Sequence, residues 1–196
     1  MRLPVTGAPL WSAPMSTTSL ACRCGQVQLA IEGAPILSAE CCCNSCRAGG
    51  DRIASLPGAP QFRTPCSTPY VLVRKDRVRF VRGAEHLRQF KLKPDAPTRR
   101  VVAACCNTPL FTEFQAGHWL SLYASLWPEA ARPRMEMRNN AGDLPDPAVL
   151  PHDIPNHKVV GASFIVKLLL AFAAMGFRAP KIATAGELRF SNAGNS

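Results

Sequence analysis

Eight of the nine cysteines in this 196-residue chain fall into three tight groups. Cys22 and Cys24 lie in CRCG. Cys41, Cys42, Cys43 and Cys46 lie in CCCNSC. Cys105 and Cys106 lie in CCNTPLF. The ninth, Cys66, reads as a small buried hydrophobe. Thiols this close point to metal or redox chemistry over a disulfide framework, because C-x-C pairs are poorly placed to bridge each other. Zinc takes about four N or S ligands in a tetrahedron, closed in structural sites and open at one position in catalytic ones. Along a strand, residues i and i+2 share a face. Cys41 and Cys43 therefore point one way and Cys42 the other, and the turn Cys43-Asn44-Ser45-Cys46 adds a third sulfur. Cys41, Cys43 and Cys46 make a three-thiolate site with one position open. Cys22 and Cys24 need a second pair to close a four-thiolate site, and Cys105 and Cys106 are the pair left. Gly25 and Asn107, which follow those pairs, tolerate the positive φ of a chain turning sharply round a metal. Neighbours in an extended strand point opposite ways. Both Cys105 and Cys106 can thus serve one metal only if the backbone bends there, and Cys106 is the ligand expected first.

Other side chains carry weaker signals. His152 and His157 flank DIPN in a proline-rich stretch, as a lid, a distal ligand or an ordinary surface loop. His118 begins a strand and His86 sits in a turn. There is no Ser-His-Asp arrangement, phosphate loop or pair of carboxylates.

The cysteines must be positioned by short strands. VQLAI (27–31) places Val27, Leu29 and Ile31 on one face. YVLV (70–73), RVRFV (77–81), RQFKL (88–92), RVVAA (100–104) and the alternating HWLSLYASLW (118–127) continue the pattern, which argues for a small antiparallel β fold. Residues 128–157 carry many prolines and read as a long ordered or semi-ordered loop. VVGASFIVKLLLAFAAMGF (159–177) is the strong helix candidate, with Phe164, Leu168, Ala171 and Met175 on one face and Gly176 as its stop. Lys167 in its middle favours a helix packed on a β domain over a membrane span. The expected organisation is a disordered extension over 1–18, a zinc-binding β domain over 19–127, the loop and packed helix over 128–180, and a tail over 181–196.

Apolar content of 47% and charged content of 18% are globular values. The N-terminal residues lack the apolar core of a secretory signal, so a reducing, cytoplasmic setting without a membrane anchor is expected. Formal net charge is +10. Ten Lys or Arg lie between Arg74 and Arg100. They alternate with strand residues, and no recognition helix or aromatic RNA motif accompanies them, which reads as a solvated sheet face over a nucleic-acid surface.

CRCGQV, CCCNSCR and CCNTPLF, in this order, resemble the glutathione-dependent formaldehyde-activating enzyme family, which includes centromere protein V. Its pattern is C-x-C-G, then C-x-C-x-x-C-R, then C-x-x-C-G-T-P-L, and the resemblance covers roughly residues 20–127. It implies an Mss4-like zinc-binding β fold. It also implies a structural zinc at Cys22, Cys24 and Cys106, and a labile, catalytic-type zinc at Cys41, Cys43 and Cys46. The chain departs from the pattern at Ala103 and Asn107, and Cys105 would supply the fourth structural ligand. The implied chemistry joins a thiol such as glutathione to an aldehyde, giving S-hydroxymethylglutathione, a carbon–sulfur lyase reaction run in reverse. Arg47, after the last ligand, would offer a cation to a substrate carboxylate or serve as a structural arginine. The alternative is a non-enzymatic zinc module contacting nucleic acid or protein through a basic face.

Overall fold

A computed structural model describes residues 16–190. Its elements are β1 (Thr17–Ala21), β2 (Gln28–Glu32), β3 (Leu37–Cys41), α1 (Asn44–Ala54), β4 (Thr68–Arg74), β5 (Val78–Arg82), β6 (Leu87–Phe90), β7 (Thr98–Ala103), β8 (Thr108–Phe114), β9 (Trp119–Tyr123), β10 (Met137–Asn139) and α2 (Ala162–Ala174), joined by loops and 3-10 turns. The strands form two sheets. One is three-stranded in the order β1-β2-β5, and the other is seven-stranded in the order β10-β3-β4-β9-β8-β7-β6. Every pairing is antiparallel except β10 against β3. The protein is mainly β, with two sheets and a C-terminal helix.

Alternation sets the layers. On β4, Val71 and Val73 face the small sheet and pack with Leu29, Ile31, Phe111, Leu120 and Leu122. Tyr70 and Leu72 face the other way, into a second core with Ile53 of α1 and Leu168 of α2. The large sheet is thus covered on both faces, by the small sheet and by the helices. On α2, Leu168, Ala171 and Met175 are buried and Phe164 is half-buried, the face expected from their spacing. The helix is shorter than the 159–177 expected. No helix among the described residues is long and apolar enough to cross a membrane.

Four features differ from the sequence expectation. Thr17 and Thr18 are not part of a disordered extension but pair with Glu32 and Ile31 in β1; residues 1–15 of that extension lie outside the described residues. The segment over 181–190 is not a tail. Ala185 N–H donates to the Leu87 carbonyl (2.9 Å), Leu188 N–H donates to the Gln89 carbonyl (2.6 Å), and Phe190 packs edge-on against Phe90 at 5.0 Å. It covers the β6 edge, which would otherwise expose unpaired backbone groups. Residues 191–196 lie outside the described residues. The CNSC stretch is the start of a helix, not a simple turn: Cys43 caps α1, its sulfur accepting from Cys46 N–H at 3.3 Å. Finally, the basic run from Arg74 to Arg100 does not form one solvated face, because Lys75, Arg99 and Arg100 are buried.

Two of those cations meet one acid. Lys75 Nζ lies 2.6 Å from Glu113 Oε1, and Arg99 Nε lies 2.5 Å from Glu113 Oε2, with Lys75 and Glu113 side chains at most 2% exposed. Removing one member of a buried pair leaves uncompensated charge, which costs about 3–5 kcal/mol. Glu113→Ala should therefore lower the stability measured by urea unfolding by roughly that amount. Asp76→Ala, which breaks the surface pair with Arg74, should change it by less than about 1 kcal/mol.

Candidate metal centre

Two groups of sulfurs converge, each with its ligand atoms within 4.8 Å of one another: Cys22, Cys24, Cys105 and Cys106, and Cys41, Cys43 and Cys46. Either group could hold a metal ion.

The four-sulfur group joins the two sheets. Cys22 and Cys24 lie in the β1–β2 connection, and Cys105 and Cys106 in the β7–β8 turn. Gly25 at φ 75° and Asn107 at φ 54° give both turns their sharp reversal, and the bend at Asn107 brings two adjacent cysteines to one centre. Sγ–Sγ separations are 3.5 Å for Cys22–Cys24, 3.7 Å for Cys22–Cys105, 3.4 Å for Cys24–Cys105 and 3.9 Å for Cys105–Cys106. A tetrahedron with metal–sulfur bonds near 2.3 Å has edges of about 3.8 Å, so the donor set fits such an ion. Val27 N–H donates to Cys22 Sγ at 3.3 Å. Burial raises the Cys22 thiol, and also Cys105. Burial would raise Cys106 too, but hydrogen bonds from Thr108 (Oγ1 at 3.1 Å) and the Cys24 backbone hold it down to about 6.

The three-sulfur group is built from the end of β3 and the start of α1. Cys42, between two members, is fully buried on the opposite side with Ala141, Leu144 and Leu150, and Cys66 packs against that cluster. Hydrogen bonds from Cys41 and Cys46 hold the Cys43 thiol down to about 2, while Cys41 is pushed up to about 11 and Cys46 is raised. A divalent cation is what would let all three ionise.

The surrounding groups are ones that sequence spacing did not single out. Asn140, in the left-handed region at φ 59°, lies with Nδ2 3.5 Å from Cys41 Sγ. The Tyr70 hydroxyl is 3.8 Å from Cys46 Sγ and 3.1 Å from Thr112 Oγ1, which is 3.2 Å from the Tyr123 hydroxyl. Burial holds Tyr70 and Tyr123 in their neutral forms. Arg100 Nη2 donates to the Ser45 carbonyl (2.6 Å) and hydroxyl (2.9 Å), between Cys43 and Cys46 in the chain. The helix passes over this guanidinium because position 49 has no side chain; a Cβ on Gly49 would sit 1.9 Å from Arg100 Nε. Arg138, 5% exposed, binds Glu40 at 3.0 Å and Asp153 at 2.7 Å, and so ties the proline-rich loop to the residue before Cys41. The one signal for these residues was the Asn139-Asn140 pair, since Asn enters the left-handed region readily.

Arg47 points elsewhere. Its Nη2 donates to Asn44 Oδ1 and, at 3.0 Å, to the Asp143 carbonyl, so it fastens α1 to the loop. Among the described residues, no histidine joins either sulfur group. His118 is buried and stacks on Phe172 at 4.6 Å.

No curated protein matches the chain. A crystal structure of a Rhodobacter sphaeroides protein, a structural genomics target, is similar over 71% of this chain and 99% of its own, at 17% identity and a TM-score of 0.44. Residues 15–126, which contain all seven sulfurs of the two groups, match a family of unknown function, DUF6151, to which the chain therefore belongs.

Proposed function

We propose that this protein is a zinc-dependent, carbon–sulfur lyase-like enzyme that joins a thiol to an aldehyde at the Cys41, Cys43 and Cys46 site. The observation that carries the reading is the pairing of a closed four-sulfur group with a three-sulfur group beside a cavity. Four ligands suit a structural ion, and three leave a position for a reactant. The Mss4-like fold and the resemblance to the glutathione-dependent formaldehyde-activating enzymes, drawn from the cysteine motifs, belong to the same proposal, with glutathione and formaldehyde as the first pair to test.

Zinc at the open site would supply a Lewis acid that favours thiolate over thiol and polarises a carbonyl. The chain's own groups do the rest. The Tyr70 hydroxyl and the Asn140 amide hold Cys46 and Cys41, keeping both sulfurs turned to one centre. The Tyr70–Thr112–Tyr123 hydroxyl chain offers a proton next to the site without carrying charge. In the reaction a C–S bond forms, the carbonyl π bond breaks, and the thiol proton ends on the aldehyde oxygen. The sum is neutral and needs no oxidant.

Elemental analysis should find two zinc ions per chain, and mild chelation should remove one while the circular dichroism spectrum is retained. Cys105→Ser should lower the melting temperature sharply, because structural zinc binding contributes about 10–16 kcal/mol of apparent free energy near neutral pH. Protein free of zinc, with Cys22 and Cys24 disulfide-bonded, would end the proposal. With zinc bound, the protein should speed formation of S-hydroxymethylglutathione from glutathione and formaldehyde. Cys46→Ser should abolish the acceleration and leave the fold intact. A rate equal to that without protein excludes this substrate pair.

A further inference from the structure

A cavity of about 160 Å³ opens beside the three-sulfur group, with Cys41 and Cys46 in its wall. Its floor is the helix-covered face of the large sheet, and its roof is the start of α2. Leu72, Phe114, Trp119, Val160 and Phe164 supply apolar surface. Glu40 is the charged residue lining it. That carboxylate is already engaged, by Arg138 at 3.0 Å and by the Ser67 hydroxyl at 2.6 Å. No lysine, arginine or histidine of the described residues lines the space.

Size and charge both bear on what fits. Clefts that take drug-sized ligands run to ~300–1,000 Å³. A dry apolar cavity of ~150 Å³ holds a single benzene ring. A ligand carboxylate placed here would lose its hydration with no basic side chain in the wall to pair with it, and would face the negative charge of Glu40. Glutathione carries two carboxylates. A neutral hydrocarbon group gives up no hydrogen bonds on entry and gains about 25 cal/mol for each Å² of apolar surface removed from water.

We infer that this cavity takes the uncharged, apolar body of a small thiol, about the size of one aromatic ring, with its sulfur directed at the Cys41, Cys43 and Cys46 centre. The inference rests on the thiol chemistry proposed above but departs from glutathione as the physiological thiol. Phe164 and Val160 at the start of α2 close over the ring. Their position is fixed because Asn139 Oδ1 accepts from the N–H of Gly161, the residue that caps α2, at 2.9 Å.

Isothermal titration calorimetry of the zinc-loaded protein with toluene, benzyl mercaptan and glutathione tests this. Toluene should bind, and benzyl mercaptan should bind at least about tenfold tighter than glutathione. Val160→Asp should weaken toluene and benzyl mercaptan by about tenfold with unchanged zinc content, since Val160 is 37% exposed and the fold tolerates a polar residue there. Phe164→Ala, which removes one side of the roof, should weaken both if the aspartate variant fails to fold. Absence of toluene binding, or glutathione binding as tightly as benzyl mercaptan, overturns the inference. Toluene binding with no further gain from the thiol group supports the apolar site and removes the metal–thiol reading instead.

Discussion

Four sulfurs drawn to within 4.8 Å of one another fix the corner at which the two sheets meet. Two come from the β1–β2 connection of the small sheet and two from the β7–β8 turn of the large one. Away from this corner, where the Arg23 N–H also donates to Thr108 Oγ1 at 3.1 Å, the contact between the sheets is mainly apolar and non-directional, so it sets a distance more firmly than an orientation. A metal ion held by the four sulfurs would set both. Everything on the far face follows from that placement: β7 delivers Arg100 beneath α1, β8 delivers Thr112, and β4, held between β3 and β9, delivers Tyr70.

The three-sulfur group depends on a different kind of support. Its sulfurs lie at the junction where β3 ends and α1 begins. Three arginines hold it. Arg100 fills the space under Gly49, Arg138 binds Glu40 beside Cys41, and Arg47 joins α1 to the Asp143 carbonyl. The proline-rich stretch is therefore part of the site's frame. Its β10 strand runs parallel to β3, with Asn139 opposite Cys41, and its next residue, Asn140, reaches the Cys41 sulfur.

Local pattern made much of this legible. C-x-C in an extended chain fixes which sulfurs share a side, and Cys42 is indeed buried away from Cys41 and Cys43. Gly25 and Asn107 announced positive φ, and both adopt it. Alternation located β2, β4, β5, β6, β7 and β9, and the i, i+4, i+7 spacing located α2. α1 was hidden because its sequence, NSCRAGGDRIA, carries two glycines that oppose helix formation. Those glycines answer to tertiary neighbours: a Cβ at Gly50 would lie 2.6 Å from Arg63 Cδ, as one at Gly49 would meet Arg100. β10 is three residues long, and the segment over 181–190 pairs only with an edge strand, so neither leaves a periodic trace. The hydroxyl chain through Tyr70, Thr112 and Tyr123 joins β4 to the β8–β9 hairpin, 42 residues on from Tyr70 to Thr112, and no spacing rule reports such a meeting.

The cations tell the same story in electrostatic terms. Read along the chain, Lys75, Arg99 and Arg100 are members of a charge run. In space, two of them neutralise Glu113, and the third has no carboxylate: among the described residues no ion pair includes Arg100, and its Nε has no hydrogen-bond partner. A fully buried guanidinium without an anion is costly, and its bonds run to Ser45, in the first turn of α1 between Cys43 and Cys46. Three thiolates and one divalent ion sum to a single negative charge. Arg100 places the opposite charge on the adjoining turn, so a metal-loaded centre and the buried arginine would each reduce the cost of the other. The large sheet thus does for charge what the four-sulfur junction does for geometry, presenting a site suited to thiolates before any ligand arrives.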